Sequence, residues 1–173
     1  MKRVIKEDDK SVIIREGNRV IKTFGSPRLH MKHKHWLLHY EAFTNMYGGV
    51  VKVHEADENH IVMDYVEGKS VDRQLWRDGE INHQFSYQTF AAILQQLANM
   101  AEYSSMISHV WYHCDAGTHN LTYTGKEFIL TDPESFVLTK NPYPGSFVSS
   151  LHPLHNILKV LHTMHQTNYE KNE

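Results

Sequence analysis

His113-Cys114-Asp115-Ala116-Gly117-Thr118-His119-Asn120, with Thr131-Asp132-Pro133-Glu134 shortly after it, is the stretch whose reading decides the fold. It carries a carboxylate, a carboxamide and a second carboxylate in that order. This set suits magnesium-dependent phosphoryl transfer. Asp115 can accept a proton from an attacking hydroxyl, the Asn120 carboxamide oxygen can hold one metal ion, and Asp132 can hold metal bridging the phosphates. The pattern H-x-D-x4-N fixes only three positions, so its meaning rests on the sequence around it.

Upstream, the chain reads as strands. Val4-Ile5, Ser11-Val12-Ile13-Ile14-Arg15 and Arg19-Val20-Ile21-Lys22-Thr23-Phe24 are β-branched runs separated by Asp8-Asp9-Lys10 and Gly17-Asn18. They predict three antiparallel strands joined by short turns. Ser26-Pro27 breaks the pattern. Trp36, Tyr40, Phe43 and Tyr47 then fall at helical spacing and predict a helix from about Met31 to Tyr47, ended by Gly48-Gly49. Val50 to Val53 and His60 to Val66 predict a second hairpin across Asp57-Glu58-Asn59. The expectation is a five-stranded antiparallel sheet with one helix on it.

Glu67-Gly68-Lys69 marks the boundary, dividing residues 1–66, a sheet lobe, from residues 67–173, a reduced and mostly helical lobe of the same α+β domain. Gln88 to Ser104 predicts a helix with Phe90, Ile93, Leu94, Leu97 and Ala101 on its apolar stripe. The motif loop follows, then a short hairpin from Asn120 to Leu130 turned at Thr124-Gly125-Lys126. A last helix is expected from near Pro153, carrying Leu154, Ile157, Leu158, Leu161 and Met164, before a polar tail from Gln166.

The composition of the 173 residues excludes several classes. Apolar content of 40% and charged content of 22% are ordinary for a globular protein, and a formal net charge of −2 offers no global attraction to nucleic acid or an anionic membrane. No apolar run has the length of a membrane span, and the N-terminus lacks the apolar core of a secretory signal. Cys114 has no second cysteine to pair with, so a reducing cytoplasm is the expected home.

Taken together, these parts resemble the two lobes of the protein-kinase-like superfamily, over roughly residues 4 to 138. The resemblance rests on Val20-Ile21-Lys22 in the third strand, Glu41 in the following helix, Ile61-Val62-Met63-Asp64-Tyr65-Val66-Glu67-Gly68 between the lobes, and the Asp115, Asn120, Asp132 set. It implies that Lys22 grips the phosphates of ATP and is oriented by an ion pair with Glu41. It implies a hinge in which Met63 sits behind the purine while the backbone of Asp64 and Val66 faces its rim. It further implies Mg2+ on Asn120 and Asp132, Asp115 as the base, and His113 packed beneath the loop as a structural residue.

Four departures shape the expected activity. Glu7-Asp8-Asp9-Lys10 stands where a glycine pattern would cover the phosphates, and its carboxylates should weaken ATP binding. Cys114 replaces the arginine that reads a phosphorylated activation loop. Asp132-Pro133-Glu134 has the Asp-x-Glu form of antibiotic, choline and lipopolysaccharide kinases rather than Asp-Phe-Gly. The sequence after Asp132 has no Ala-Pro-Glu motif and leaves little room for a peptide-docking lobe. Two function classes follow: an ATP- and Mg2+-dependent phosphotransferase acting on a hydroxyl of a small molecule, glycan or protein, and a kinase-fold protein that acts as a binding or inhibitory partner.

The 14 histidines stand apart from this scheme. His30, His33, His35 and His39 crowd the start of the helix bearing Glu41, and His152, His155, His162 and His165 lie in the expected last helix. His35 and His39 have a spacing that can chelate zinc, but nothing nearby completes a ligand set. Solvated helix faces are the expectation, with Lys32 and Lys34 adding a basic patch able to attract phosphate.

Overall fold

The structure, a computed structural model, describes residues 2–32, 34–71, 76–77, 80–81 and 83–140. His33, the expected C-terminal helix and its histidines lie outside them. Strands β1 (Lys2–Glu7), β2 (Ser11–Glu16), β3 (Arg19–Phe24), β4 (Val53–Ala56) and β5 (His60–Asp64) form a five-stranded sheet in the order β1-β2-β3-β5-β4. All of its pairings are antiparallel. The turns sit where the breakers predict them, and Gly17 takes the left-handed backbone (φ 63°) that the β2–β3 turn requires. The β1–β2 register slips between Val4 and Lys6, leaving Ile5 as a bulge residue on the edge strand.

Helix α1 (Lys34–Tyr47) follows a short 3-10 turn at Leu29–Met31 and buries Trp36, Tyr40 and Phe43. Gly48 and Gly49 end it with φ of 65° and 68°. The second hairpin starts later than the β-branched run suggested, at Val53 rather than Val50. The reason is tertiary: Val51 N–H donates to Leu130 O, and Leu130 N–H donates to Gly49 O, drawing residues 49–51 onto the other lobe.

Beyond β5 come β6 (Lys69–Ser70), a small hairpin of β7 (Trp76–Arg77) and β8 (Glu80–Ile81) that the sequence did not suggest, and helix α2 (His83–Met106). β9 (Val110–His113) leads into the motif loop, β10 (Leu121–Tyr123) and β11 (Phe128–Leu130) form the expected hairpin, and β12 (Phe136–Thr139) returns antiparallel to β9. The buried face of α2 differs from the expected stripe. Phe85, Thr89, Ile93, Met100 and Tyr103 are buried, whereas Leu94 is exposed and Ala101 lies on the outer side. Thr89 can face inward because its hydroxyl donates to Phe85 O within the helix, which removes the cost of burying it.

One apolar core runs through both lobes. Trp36 stacks on Tyr40, Trp111 stacks on Phe136, and the Trp36 indole N–H donates to Phe136 O at 2.8 Å. The helix of the sheet lobe is thus fastened to β9 and β12, the strands that flank the motif loop.

Candidate active site

His113, fully buried at the end of β9, organises the motif loop. Asp115 N–H donates to His113 Nδ1 at 3.1 Å, so the ring's proton is on Nε2, which donates to Asp132 O at 2.9 Å. Burial pushes its pKa down to about 4, and the nearby carboxylates only partly oppose this. A neutral imidazole therefore joins the Asp115 turn to the Asp132 turn. Asn120 adds a second tie: its Nδ2 donates to Asp115 O at 2.8 Å and to Asp115 Oδ2 at 3.2 Å, while Thr131 N–H and hydroxyl both donate to Asn120 O. These bonds bring Asp115, Asn120 and Asp132 together.

Two residues at this site carried no role of their own on the sequence alone. His119 Nε2 lies 2.9 Å from Asp115 Oδ2, with its ring packed over Gly117, where a side chain would collide with it. Only the four-residue spacing from Asp115 hinted at that. Glu134, noted for its resemblance to an Asp-x-Glu motif, has a larger part than that reading assigned.

Lys22 projects from β3, on the same face as Val20, toward Asp132. Its Nζ lies 2.8 Å from Asp132 Oδ1 and is also paired with Glu134 Oε1. The expected ion pair with Glu41 is not made. Glu41 is exposed on α1, one residue past Tyr40 and so about 100° around the helix from the buried row. The inward position belongs to Tyr40, whose hydroxyl donates to Val51 O at 2.7 Å. Its phenol is pushed well above the usual range by burial and by the charges of Glu134 and Asp132. Glu134 thus takes the place expected of Glu41.

The two carboxylates beside Lys22 are driven apart. Burial pushes Glu134 up to about 7, and the charge of Asp132 adds to this. Burial, the largest single influence, would raise Asp132, but the Lys22 charge together with hydrogen bonds, including one of 2.6 Å from the Ser135 hydroxyl, outweighs it and holds it at about 2. Burial disfavours the Lys22 charge, yet the two carboxylates prevail and its pKa is raised. Glu134 Oε2 is buried without a hydrogen-bond partner. Among the described residues, no three His, Cys, Asp or Glu side chains converge as a metal site. The donors available near Asp132 are two carboxylates and the Asn120 carboxamide.

Next to this cluster is a cavity of about 160 Å³. Met63, Asp64 and Val66 line it together with Ile5, Val20 and Thr131, the last adjoining Asp132. Ile5, at the register shift of the edge strand, is among its lining residues. The Asp64 carboxylate is engaged by His54 Nε2 at 2.6 Å. Asp64 N–H donates to Lys52 O and Tyr65 N–H to Asn18 O, which pins the segment between neighbouring strands.

The β1–β2 turn also departs from expectation. Asp8 turns onto its own loop, accepting from Lys10 N–H and Ser11 N–H at 3.0 and 2.8 Å, with Lys6 Nζ 2.7 Å away. The hydrogen bond from Lys6 and those of the two amides hold its carboxyl down at about 2. The loop amides are therefore taken by a carboxylate from the same turn.

No protein-family model and no curated protein sequence matches this chain. Solved structures do. WbdD, with a kinase inhibitor bound, superposes at a TM-score of 0.51 with 20% identity, over 82% of this chain and 34% of that one. The PknI kinase domain of Mycobacterium tuberculosis gives 0.48 and 13% over 77% and 57%, and ADP-bound aminoglycoside phosphotransferase APH(2'')-Ib gives 0.45 and 12% over 80% and 67%. The fold is protein-kinase-like and α+β, with a five-stranded antiparallel sheet and a helix packed on it in the first lobe. The chain spans about a third of WbdD and little over half of the PknI kinase domain. No helix among the described residues is long and apolar enough to cross a membrane.

Proposed function

We propose that this chain is an ATP- and Mg2+-dependent phosphotransferase that moves the γ-phosphoryl group to a hydroxyl acceptor. The observation that carries the reading is the convergence of Lys22, Asp132 and Glu134 with the Asp115–Asn120 loop, beside a cavity bounded by Met63, Asp64 and Val66. Phosphoryl transfer needs positioning and charge neutralisation more than covalent chemistry, so a small scaffold suffices.

The adenine would sit in the cavity against Val20 and Met63, its rim toward the backbone of Asp64 and Val66. Lys22 would hold the nonreacting phosphates, with Glu134 in the orienting position that Glu41 does not reach. The acceptor oxygen attacks the γ-phosphorus, its proton passes to the Asp115 carboxylate, and the bond to the β–γ bridging oxygen breaks to release ADP. His119 steadies the Asp115 carboxylate, and the neutral His113 keeps loop and strand in register.

The residues present fit a hard divalent cation. Asp132, Asn120 and the unpartnered Glu134 Oε2 are oxygen donors, the set magnesium prefers. Bound there, Mg2+ would neutralise phosphate charge. The acceptor is defined here by its hydroxyl alone.

Paired substitutions test the reading. Asp115→Asn should leave Mg-ATP affinity nearly unchanged while transfer, measured as acceptor or autophosphorylation with radiolabelled ATP, falls by about a hundredfold or more. Asp132→Asn should reduce binding and transfer together. Full transfer by Asp115→Asn would refute the assignment of the base, and no ATP binding with or without magnesium would refute the enzyme.

A further inference from the structure

A larger cavity, of about 490 Å³, lies beside the first half of α1. His30 from the 3-10 turn, His35 and His39 one turn apart on α1, His109 before β9 and Lys140 at the end of β12 line it, with Trp36 and Leu138 as apolar wall. His35 is exposed, as a solvated helix face would have it, whereas His30 and His39 are half-buried. Among the described residues, no aspartate or glutamate lines the cavity. The charged and titratable groups around it are Arg28 near His30, the exposed Lys32 and Lys34 beside the turn, and Tyr103 of α2, whose hydroxyl lies 2.9 Å from His39 Nδ1. The Glu134 backbone carbonyl accepts from His30 Nε2 at 2.8 Å.

We propose that this cavity binds a small oxyanion, a phosphate- or sulfate-bearing small molecule, through the protonated imidazoles of His35, His39 and His109 and the ammonium of Lys140. The chemistry of the lining favours an anion over a metal ion. Lys140 repels a cation, and among the described residues no three of the imidazoles converge as ligands. The volume lies within the range of small-molecule sites and exceeds what a phosphate fills, and Trp36 and Leu138 offer an apolar surface for the organic remainder. Burial lowers the pKa of His39, and the charges of His109 and His35 lower it further. A bound anion favours the charged form of His39, so binding takes up protons and strengthens as pH falls. The proposal does not depend on phosphotransfer at the other site.

Sulfate is the first probe, because it stays a dianion across the pH range used and any pH dependence belongs to the protein. Histidine side-chain NMR of the full chain should show saturable sulfate shifts at His35, His39 and His109 at pH about 5.5. Affinity should be at least about tenfold weaker at pH about 8, the scale of 1.4 kcal/mol of lost charge pairing. The double variant His35→Gln/Lys140→Ala should lose a similar factor at the lower pH, and glucose 6-phosphate should bind more tightly than inorganic phosphate at pH about 6. The wild-type titration stands by itself if the variant fails to fold. The proposal is overturned by unsaturable shifts at low pH, equal affinity at both pH values, undiminished binding in a folded double variant, or Zn2+ saturating these imidazoles while sulfate leaves them unmoved.

Discussion

Replacing Glu134 should matter far more than replacing Glu41, although the family resemblance points to Glu41. The Lys22 and Glu134 side chains retain only 15% and 5% of their exposure, so Glu134→Ala strips a buried ammonium of one of its two partners. Removing one member of a buried pair costs about 3–5 kcal/mol. Two features pull the value below that range. Asp132 still holds Lys22 at 2.8 Å, and Glu134, pushed up to about 7, carries its proton about half the time at neutral pH. About 2 kcal/mol is expected, roughly a thirtyfold shift in the folding equilibrium and about 1 M in the urea midpoint. Glu41→Ala, on an exposed helix face, should stay within about 0.5 kcal/mol. The two carboxylates also differ in pH dependence. A folded-state pKa above the usual 4.5 means that the folded protein binds more protons than the unfolded chain between about 4.5 and 7. The contribution of Glu134 is therefore fully present below that window and lost as pH rises through it. Urea unfolding at about pH 5 and pH 8 reads this directly: wild type should lose stability relative to Glu134→Gln at the higher pH. Equal costs for the two alanine variants would refute the assignment of Glu134 as the partner of Lys22, and a difference from Glu134→Gln that does not move with pH would refute the burial of its carboxyl beside Asp132.

ATP should bind weakly and with clear magnesium dependence, because Asp8 takes the amides of its own turn. Asp8→Gly, which frees the Lys10 and Ser11 N–H groups, should tighten ATP binding by about threefold to tenfold in calorimetry; unchanged affinity would show that the turn does not cover the phosphates. His113 should stay neutral with its proton on Nε2 down to about pH 4, as read by ¹⁵N NMR. The unfolded chain takes up a proton near pH 6.5 that the folded ring refuses, so this residue withdraws stability as pH falls from there toward about 4. A ring titrating near 6.5 would contradict the buried network. Gly49→Ala should cost about 1–2 kcal/mol in thermal or urea unfolding, since Gly49 sits at φ 68° and a Cβ there meets the Gln96 amide. A neutral result would mean that the loop can rearrange.

The elements whose patterns are local were readable from the residue order. β-branched runs broken by Asp8-Asp9-Lys10 and Gly17-Asn18 specify three strands, because strand propensity and turn chemistry act over a few residues. Asp115 and Asn120 were readable for the same reason: a short loop constrains which groups can meet, and the structure joins them by hydrogen bonds. Lys22 was singled out through the family resemblance of Val20-Ile21-Lys22 and not through its strand alone; its ammonium lies 2.8 Å from Asp132 Oδ1.

What the chain order could not decide are the contacts that depend on how one element is rotated against another. A helix turns about 100° per residue, so Tyr40 rather than Glu41 faces the core, and Glu134 rather than Glu41 meets Lys22. The same freedom moved the buried face of α2 away from Leu94 and Ala101, because packing against β9 selects the face and Thr89 can satisfy its own hydroxyl. Hydrogen bonds of Gly49 and Val51 with Leu130 drew residues 49–51 out of the second hairpin. His30, His35, His39, His109 and Lys140 are spread over three segments, and only the folded arrangement of α1, β9 and β12 gathers them around one cavity. Local propensities specified which elements form; the aromatic core that joins the two lobes decided which side chains face one another.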